Sequence, residues 1–200
     1  MNFADLRNAD YGKGFIMPTM SELAQLICGS LENQKYHSAK NVVKTLKSKL
    51  LYGNTGIFYA PEGMYIQDNP NIKNGRVSMD QKMLERKLGK NEEKGVVFSN
   101  DRTIRFTPYN FNTGLQSPLQ LAKNTGVMAL VGGEENAEKI AKASDNYKVK
   151  INFWASKPTD APETKVAGLG SYCFNEVGVS ARCDENYEAG SYSFGAKETK

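Results

Sequence analysis

The chain has 200 residues, 40% of them apolar and 24% charged, with a net charge of +4; this is the make-up of an ordinary folded protein, long enough for one large domain or two small ones. No apolar run reaches the roughly 18–20 residues a membrane helix needs, and the stretch from Met1 to Arg7 lacks the basic start and apolar core of a signal peptide. Cys28, Cys173 and Cys183 are too few and too irregularly spaced for a disulfide framework or a zinc knuckle, so a soluble, cytoplasmic protein with no membrane partner is expected.

Residues 1–17 read as an irregular lead-in. Thr19 and Glu22 then have capping-box spacing, and Leu23, Leu26, Ile27 and Leu31 form an apolar stripe at helical spacing. A second helix is expected from about Tyr36 to Leu51, with Ala39, Val42, Val43, Leu46 and Leu50 facing inward. This segment carries the charge asymmetry of the chain. Residues 1–100 hold 14 Lys/Arg and 10 Asp/Glu, whereas residues 101–200 hold 12 of each. Within the first half, Lys35, Lys40, Lys44, Lys47 and Lys49 occur with no acidic residue between them.

Ile57 to Ile66 reads as a hairpin, with Pro61 at the second and Gly63 at the fourth position of its turn. Asn69 to Gly75 is expected as a loop. Ser78 and Gln81 repeat the capping-box spacing ahead of Met83, Leu84 and Leu88, with Gly89 as a C-terminal cap. Val96–Phe98 and Thr103–Phe106 form a second hairpin that turns at Asn100-Asp101.

Residues 107–116 are the expected boundary between a helix-and-hairpin half (1–110), which carries the basic helix, and a β-rich half (117–200); the two can share one core. Ser117-Pro118 opens a short helix. Val127 to Trp154 reads as strand, helix, strand: an apolar run to Val131, the Gly132-Gly133 break, a helical pattern from Glu134 to Ser144, and alternation from Tyr147 to Ala155. A glycine pair before a helix invites an anion site, but Glu134 and Glu135 complement the helix dipole themselves and repel a phosphate. Val177, Val179, Ala181 and Cys183 alternate as a strand. Asn-Thr-Gly recurs at 54–56, 112–114 and 124–126, either as turn chemistry or as the trace of a duplicated helix-to-strand unit. The fold class is therefore α+β, with hairpins in the first half and one strand–helix–strand crossover in the second.

Chemistry is sparse. His37 is the only histidine, which excludes zinc sites of the two- or three-histidine kind within one chain and leaves any Ser–His or Cys–His nucleophile a single base. Gly178-Val-Ser180-Ala-Arg182 lacks the second glycine of a nucleophile elbow. Gly168-Leu-Gly170 lacks the rest of a dinucleotide fingerprint, and no cofactor is indicated. Asp184, Glu185 and Glu188 are a small acidic group and the best carboxylate candidates for an enzyme that works without histidine.

The lysine helix is the strongest binding candidate: Lys35, Lys40, Lys44, Lys47 and Lys49 for phosphates, with Tyr59 and Tyr65 of the next hairpin as stacking surfaces. Trp154 stands on the polar side of its strand with Lys148, Lys150 and Asn152, either as a contact for a partner or covered by the loop from Lys157 to Thr164. A non-catalytic binding protein is expected, its partner nucleic acid or another protein. A carboxylate enzyme and a self-associating assembly component are the alternatives.

Overall fold

A computed structural model describes residues 2–146, 150–156, 161–173, 176–184 and 191–197. In chain order these form α1 (Phe3–Arg7), β1 (Phe15–Ile16), α2 (Met20–Glu32), α3 (His37–Leu46), β2 (Leu50–Ala60), β3 (Gly63–Asp68), β4 (Asn71–Lys73), β5 (Arg76–Ser78) and α4 (Gln81–Lys87). There follow β6 (Leu88–Glu93), β7 (Val96–Ser99), β8 (Ile104–Pro108), β9 (Gly114–Gln116), α5 (Pro118–Ala122), α6 (Thr125–Val131) and α7 (Glu134–Asn146). The last strands are β10 (Lys150–Trp154), β11 (Glu163–Cys173), β12 (Glu176–Cys183), β13 (Ser191–Tyr192) and β14 (Ala196–Lys197). The class is α+β.

Local chemistry explains most starts and stops. Thr19 and Glu22 close the expected capping box of α2, and Ser117 with Gln120 does the same for α5, with Pro118 in its first turn. A third box, Asn2 with Asp5, orders the lead-in as α1. The cap of α4 is Asp80, whose side chain accepts from Met83 N at 2.8 Å, so the start lies two residues after Ser78. Gly89 is no cap but a residue of β6.

Three expected elements take another form. The second helix ends at Leu46, and Leu50 and Leu51 open the long strand β2. The expected loop at 69–75 is a small hairpin, β4–β5, turning on Asn74 (φ 53°) and Gly75 (φ 74°), the Asn-Gly pair that suits a two-residue turn. The apolar run Val127–Val131 is helix and not strand. Asn124 Oδ1 accepts from Gly126 N (3.0 Å) and Val127 N (3.2 Å), and Gly132 closes the far end in a left-handed conformation. Met128, Ala129 and Leu130 favour helix, and a short buried run carries no periodicity to separate the two states. The helix that follows stands as expected, and the expected strand is seen as Lys150–Trp154, its first residues 147–149 lying outside the described residues.

The main sheet runs β6-β7-β8-β3-β2-β11-β12-β10-β9, with β13 added to β2. It therefore draws strands from both sides of residues 107–116. The join is the antiparallel pairing of β2 with β11, from Glu163↔Tyr59 to Gly170↔Leu50. β10 lies parallel to β12, and β13 parallel to the start of β2; the other pairings are antiparallel. A separate pairing, Phe15↔Lys197 and Ile16↔Ala196, ties the two ends of the chain together.

One face of the sheet packs against α2, α3, α6 and α7 around Leu23, Ile27, Val43, Phe98, Leu130 and Phe153. The other carries a smaller core built from Phe3, Leu6, Tyr52, Val77, Val166 and Cys183. β2 has buried side chains on both faces, which is why its sequence does not alternate. The three Asn-Thr-Gly copies lie inside β2, in the approach to β9 and at the cap of α6. They share no common structure, so they mark no duplicated unit.

Candidate functional site

The amphipathic pattern of α3 sets its orientation. Ala39, Val42, Val43 and Leu46 are buried, whereas Lys40, Lys44 and Lys47 are exposed, together with Lys35 before the helix and Lys49 after it. Among the described residues none of the five lysines is ion-paired. His37 is exposed in the first turn of the same helix.

The two tyrosines expected beside these lysines lie elsewhere. Tyr59 is fully buried, its hydroxyl donating to Ala181 O at 2.7 Å and accepting from Ser156 N at 3.1 Å. Tyr65 is buried too, its hydroxyl against Glu62 Oε1 at 2.8 Å and Glu85 Oε1 at 3.3 Å. Neither ring offers a face for stacking. The exposed aromatic next to the lysines is Tyr36, with 56% of its surface accessible and the Lys35 ammonium 5.1 Å from its ring centroid. The signal for it lay in the sequence, as an aromatic residue inside the lysine run and four residues before Lys40.

A polar cleft of about 620 Å³ lies elsewhere on the surface, between the start of α2, the end of β3, the β7–β8 turn and the start of α7. At its base Arg105 and Asp68 form a bidentate ion pair, both bonds 2.7 Å, with side chains 2% and 9% exposed. Asp68 Oδ1 also accepts from Thr55 Oγ1 (2.7 Å), and Thr55 Oγ1 accepts from Met20 N (2.9 Å), so the pair anchors the first turn of α2.

The rim is held by further charges. Arg102 stacks on Phe98 at 4.0 Å and chelates Glu93; its hydrogen bonds hold the Glu93 carboxyl below the usual range. Lys94 pairs with Glu134, and Lys139 with Glu135 at 2.7 Å, so both carboxylates at the glycine pair are occupied, in keeping with an architectural role there. Asp101 accepts from Ser99 Oγ (2.6 Å), Thr103 Oγ1 (2.9 Å) and Thr103 N (3.1 Å), which lowers its pKa. Six acids line the cleft (Glu22, Asp68, Glu93, Asp101, Glu134, Glu135) against three bases (Arg102, Arg105, Lys139). Among the described residues, Glu22 and Asp101 have no cationic partner. The cleft gathers residues from 19 to 139, and no local motif announces it.

The other candidates are placed apart from these two surfaces. Asp184 is exposed and pairs with Lys165 at 2.7 Å; Glu185 and Glu188 lie outside the described residues. Trp154 is half-buried with the Arg182 guanidinium 6.0 Å from its ring, and residues 157–160 of the loop expected over it are likewise outside. Cys28 and Cys183 are buried; burial, with the charge of Glu32 behind it, pushes the Cys28 thiol up to about 11. No group of three or more His, Cys, Asp or Glu among the described residues could hold a metal ion. No described helix is long and apolar enough to cross a membrane.

No family model and no curated protein matches this chain. Among solved structures it is similar to one described as "Accommodation of massive sequence variation in Nanoarchaeota by the C-type lectin fold", with 17% identity, 97% of this chain and 90% of that chain covered, and a TM-score of 0.53. At that identity the likeness is one of fold: the helices and strands described above are arranged in a C-type lectin-like way.

Proposed function

We propose that this chain is a non-catalytic binding protein that meets a polyanion, nucleic acid first, through the lysine face of α3. The likeness to a structure described as accommodating massive sequence variation by the C-type lectin fold supports a binding role. The observation that carries the polyanion is the run of five exposed lysines with no acidic residue between them and no ion pair among the described residues. Such lysines gain by releasing counterions from a phosphate chain. With three phosphate contacts, binding weakens roughly 20-fold for a single strand and roughly 40-fold for a duplex between about 50 and 200 mM salt. Exchange of Lys40, Lys44 and Lys47 for glutamate abolishes it at an unchanged melting temperature, since all three side chains are exposed. Fluorescence anisotropy with labelled DNA and RNA checks this, and equal binding by the triple variant sinks it.

A second reading rests on the cleft. Its surplus of carboxylates, with Glu22 and Asp101 lacking a cationic partner among the described residues, suits a small cation such as a diamine. Calorimetric titration with putrescine gives saturable heat that Glu22→Gln diminishes; no heat from the native protein removes this reading.

A further inference from the structure

Tyr36, Lys40, Lys44 and Lys47 fall within an arc of ~80° around α3 at 3.6 residues per turn, and at 1.5 Å per residue they span about 16 Å. Ala39, Val42, Val43 and Leu46 form the buried arc beside it, while all four residues of the stripe are exposed, so the stripe flanks the buried side and faces solvent. Tyr36 is the residue just before the helix, and its side chain makes no capping hydrogen bond. Its accessibility is 56%, and of the exposed aromatics Phe15, Tyr36 and Tyr192 it is the one within the lysine run. The Lys35 ammonium lies over the ring at 5.1 Å, where it would meet the phosphate of a base stacked on the tyrosine.

Resting on the polyanion reading of α3, we infer that the surface selects single-stranded nucleic acid, with Tyr36 stacking an unpaired base while Lys40, Lys44 and Lys47 follow the backbone. Lysines alone do not distinguish a single strand from a duplex or from an acidic membrane. An exposed ring at the end of the stripe favours a single strand over a duplex, because bases paired within a helix present no face to it. Stacking is sequence-tolerant because every base presents a face, so little sequence preference follows.

The test compares anisotropy titrations of labelled oligothymidylate, an abasic oligomer of equal charge, a duplex of equal length, and vesicles containing phosphatidylserine. Expected are tightest binding to oligothymidylate, about tenfold weakening in Tyr36→Ala, retention in Tyr36→Phe, and no effect of Tyr36→Ala on the abasic oligomer. Equal affinity for the normal and abasic strands, or an unchanged Tyr36→Ala, overturns stacking even when the lysine variant has lost binding. Vesicle binding tighter than oligothymidylate binding overturns it in favour of a membrane. If the native protein binds none of these ligands, the lysine reading itself has failed, and the stacking inference with it.

Discussion

Replacing Asp68 with alanine is expected to cost about 3–5 kcal/mol of stability, and replacing Arg105 with alanine a similar amount, because each leaves the other's charge buried without its partner. The geometry explains the size. Both side chains are almost wholly buried, two hydrogen bonds of 2.7 Å join them, and Arg105 is the largest of the fully buried side chains. Asp68 also holds Thr55, which holds the first backbone amide of α2, so its loss loosens the helix start as well as the sheet. The double variant Asp68→Leu with Arg105→Met is expected to recover most of the loss, since an apolar pair needs no charge compensation. Urea unfolding followed by circular dichroism measures all three. Single variants within about 1 kcal/mol of the native protein would show that water reaches the pair and that its burial is not felt. Polyanion binding by α3 should survive in whichever variants remain folded, because the lysines do not touch this pair.

What could be read in the sequence was what local chemistry decides. Thr19 with Glu22, Ser117-Pro118, the Pro61–Gly63 turn and the alternation from Val177 to Cys183 each act within a few residues, and each appears where expected. The misreadings fall where a distant partner decides. Leu50 and Leu51 continue the apolar spacing of α3, but they belong to β2 because β11 pairs with them across the whole second half of the chain. Tyr59 and Tyr65 were expected at the surface because no alternation in Ile57–Ile66 marks a solvent side. A central strand buried on both faces has none. Val127–Val131 was decided by its caps, Asn124 and Gly132, which the run itself does not contain. The lysines were legible because exposure on an amphipathic helix follows from period alone. The cleft was not, since its acids come from five separated segments that meet only in the fold.

Tyr59, whose ring was expected as a stacking surface, is expected to hold the protein together instead. Tyr59→Ala should cost about 3–5 kcal/mol, as for other large buried aromatics, and Tyr59→Phe about 1–3 kcal/mol, because Ser156 N loses its acceptor and Ala181 O its donor. The same burial makes the fold sensitive to alkali. Burial holds the Tyr59 proton well beyond its ordinary range. Burial, then the carboxylates Glu62 and Glu85, does so for Tyr65, and burial, then the charges of Glu62 and Glu163, raises Tyr109 to about 12. Below a pH of about 10 the tyrosines are protonated in both states and their contribution is complete. Above it the unfolded chain releases protons that the folded chain retains, so the unfolded state binds fewer and stability falls as pH rises. The urea midpoint should therefore hold steady to about pH 9 and drop steeply by about pH 11. In the Tyr59→Phe variant the drop should be shallower from a lower starting point, since one of the retained protons is gone. A parallel drop in native and variant proteins would mean that Tyr59 ionises as freely folded as unfolded, and that its hydroxyl is not enclosed between β2 and β12.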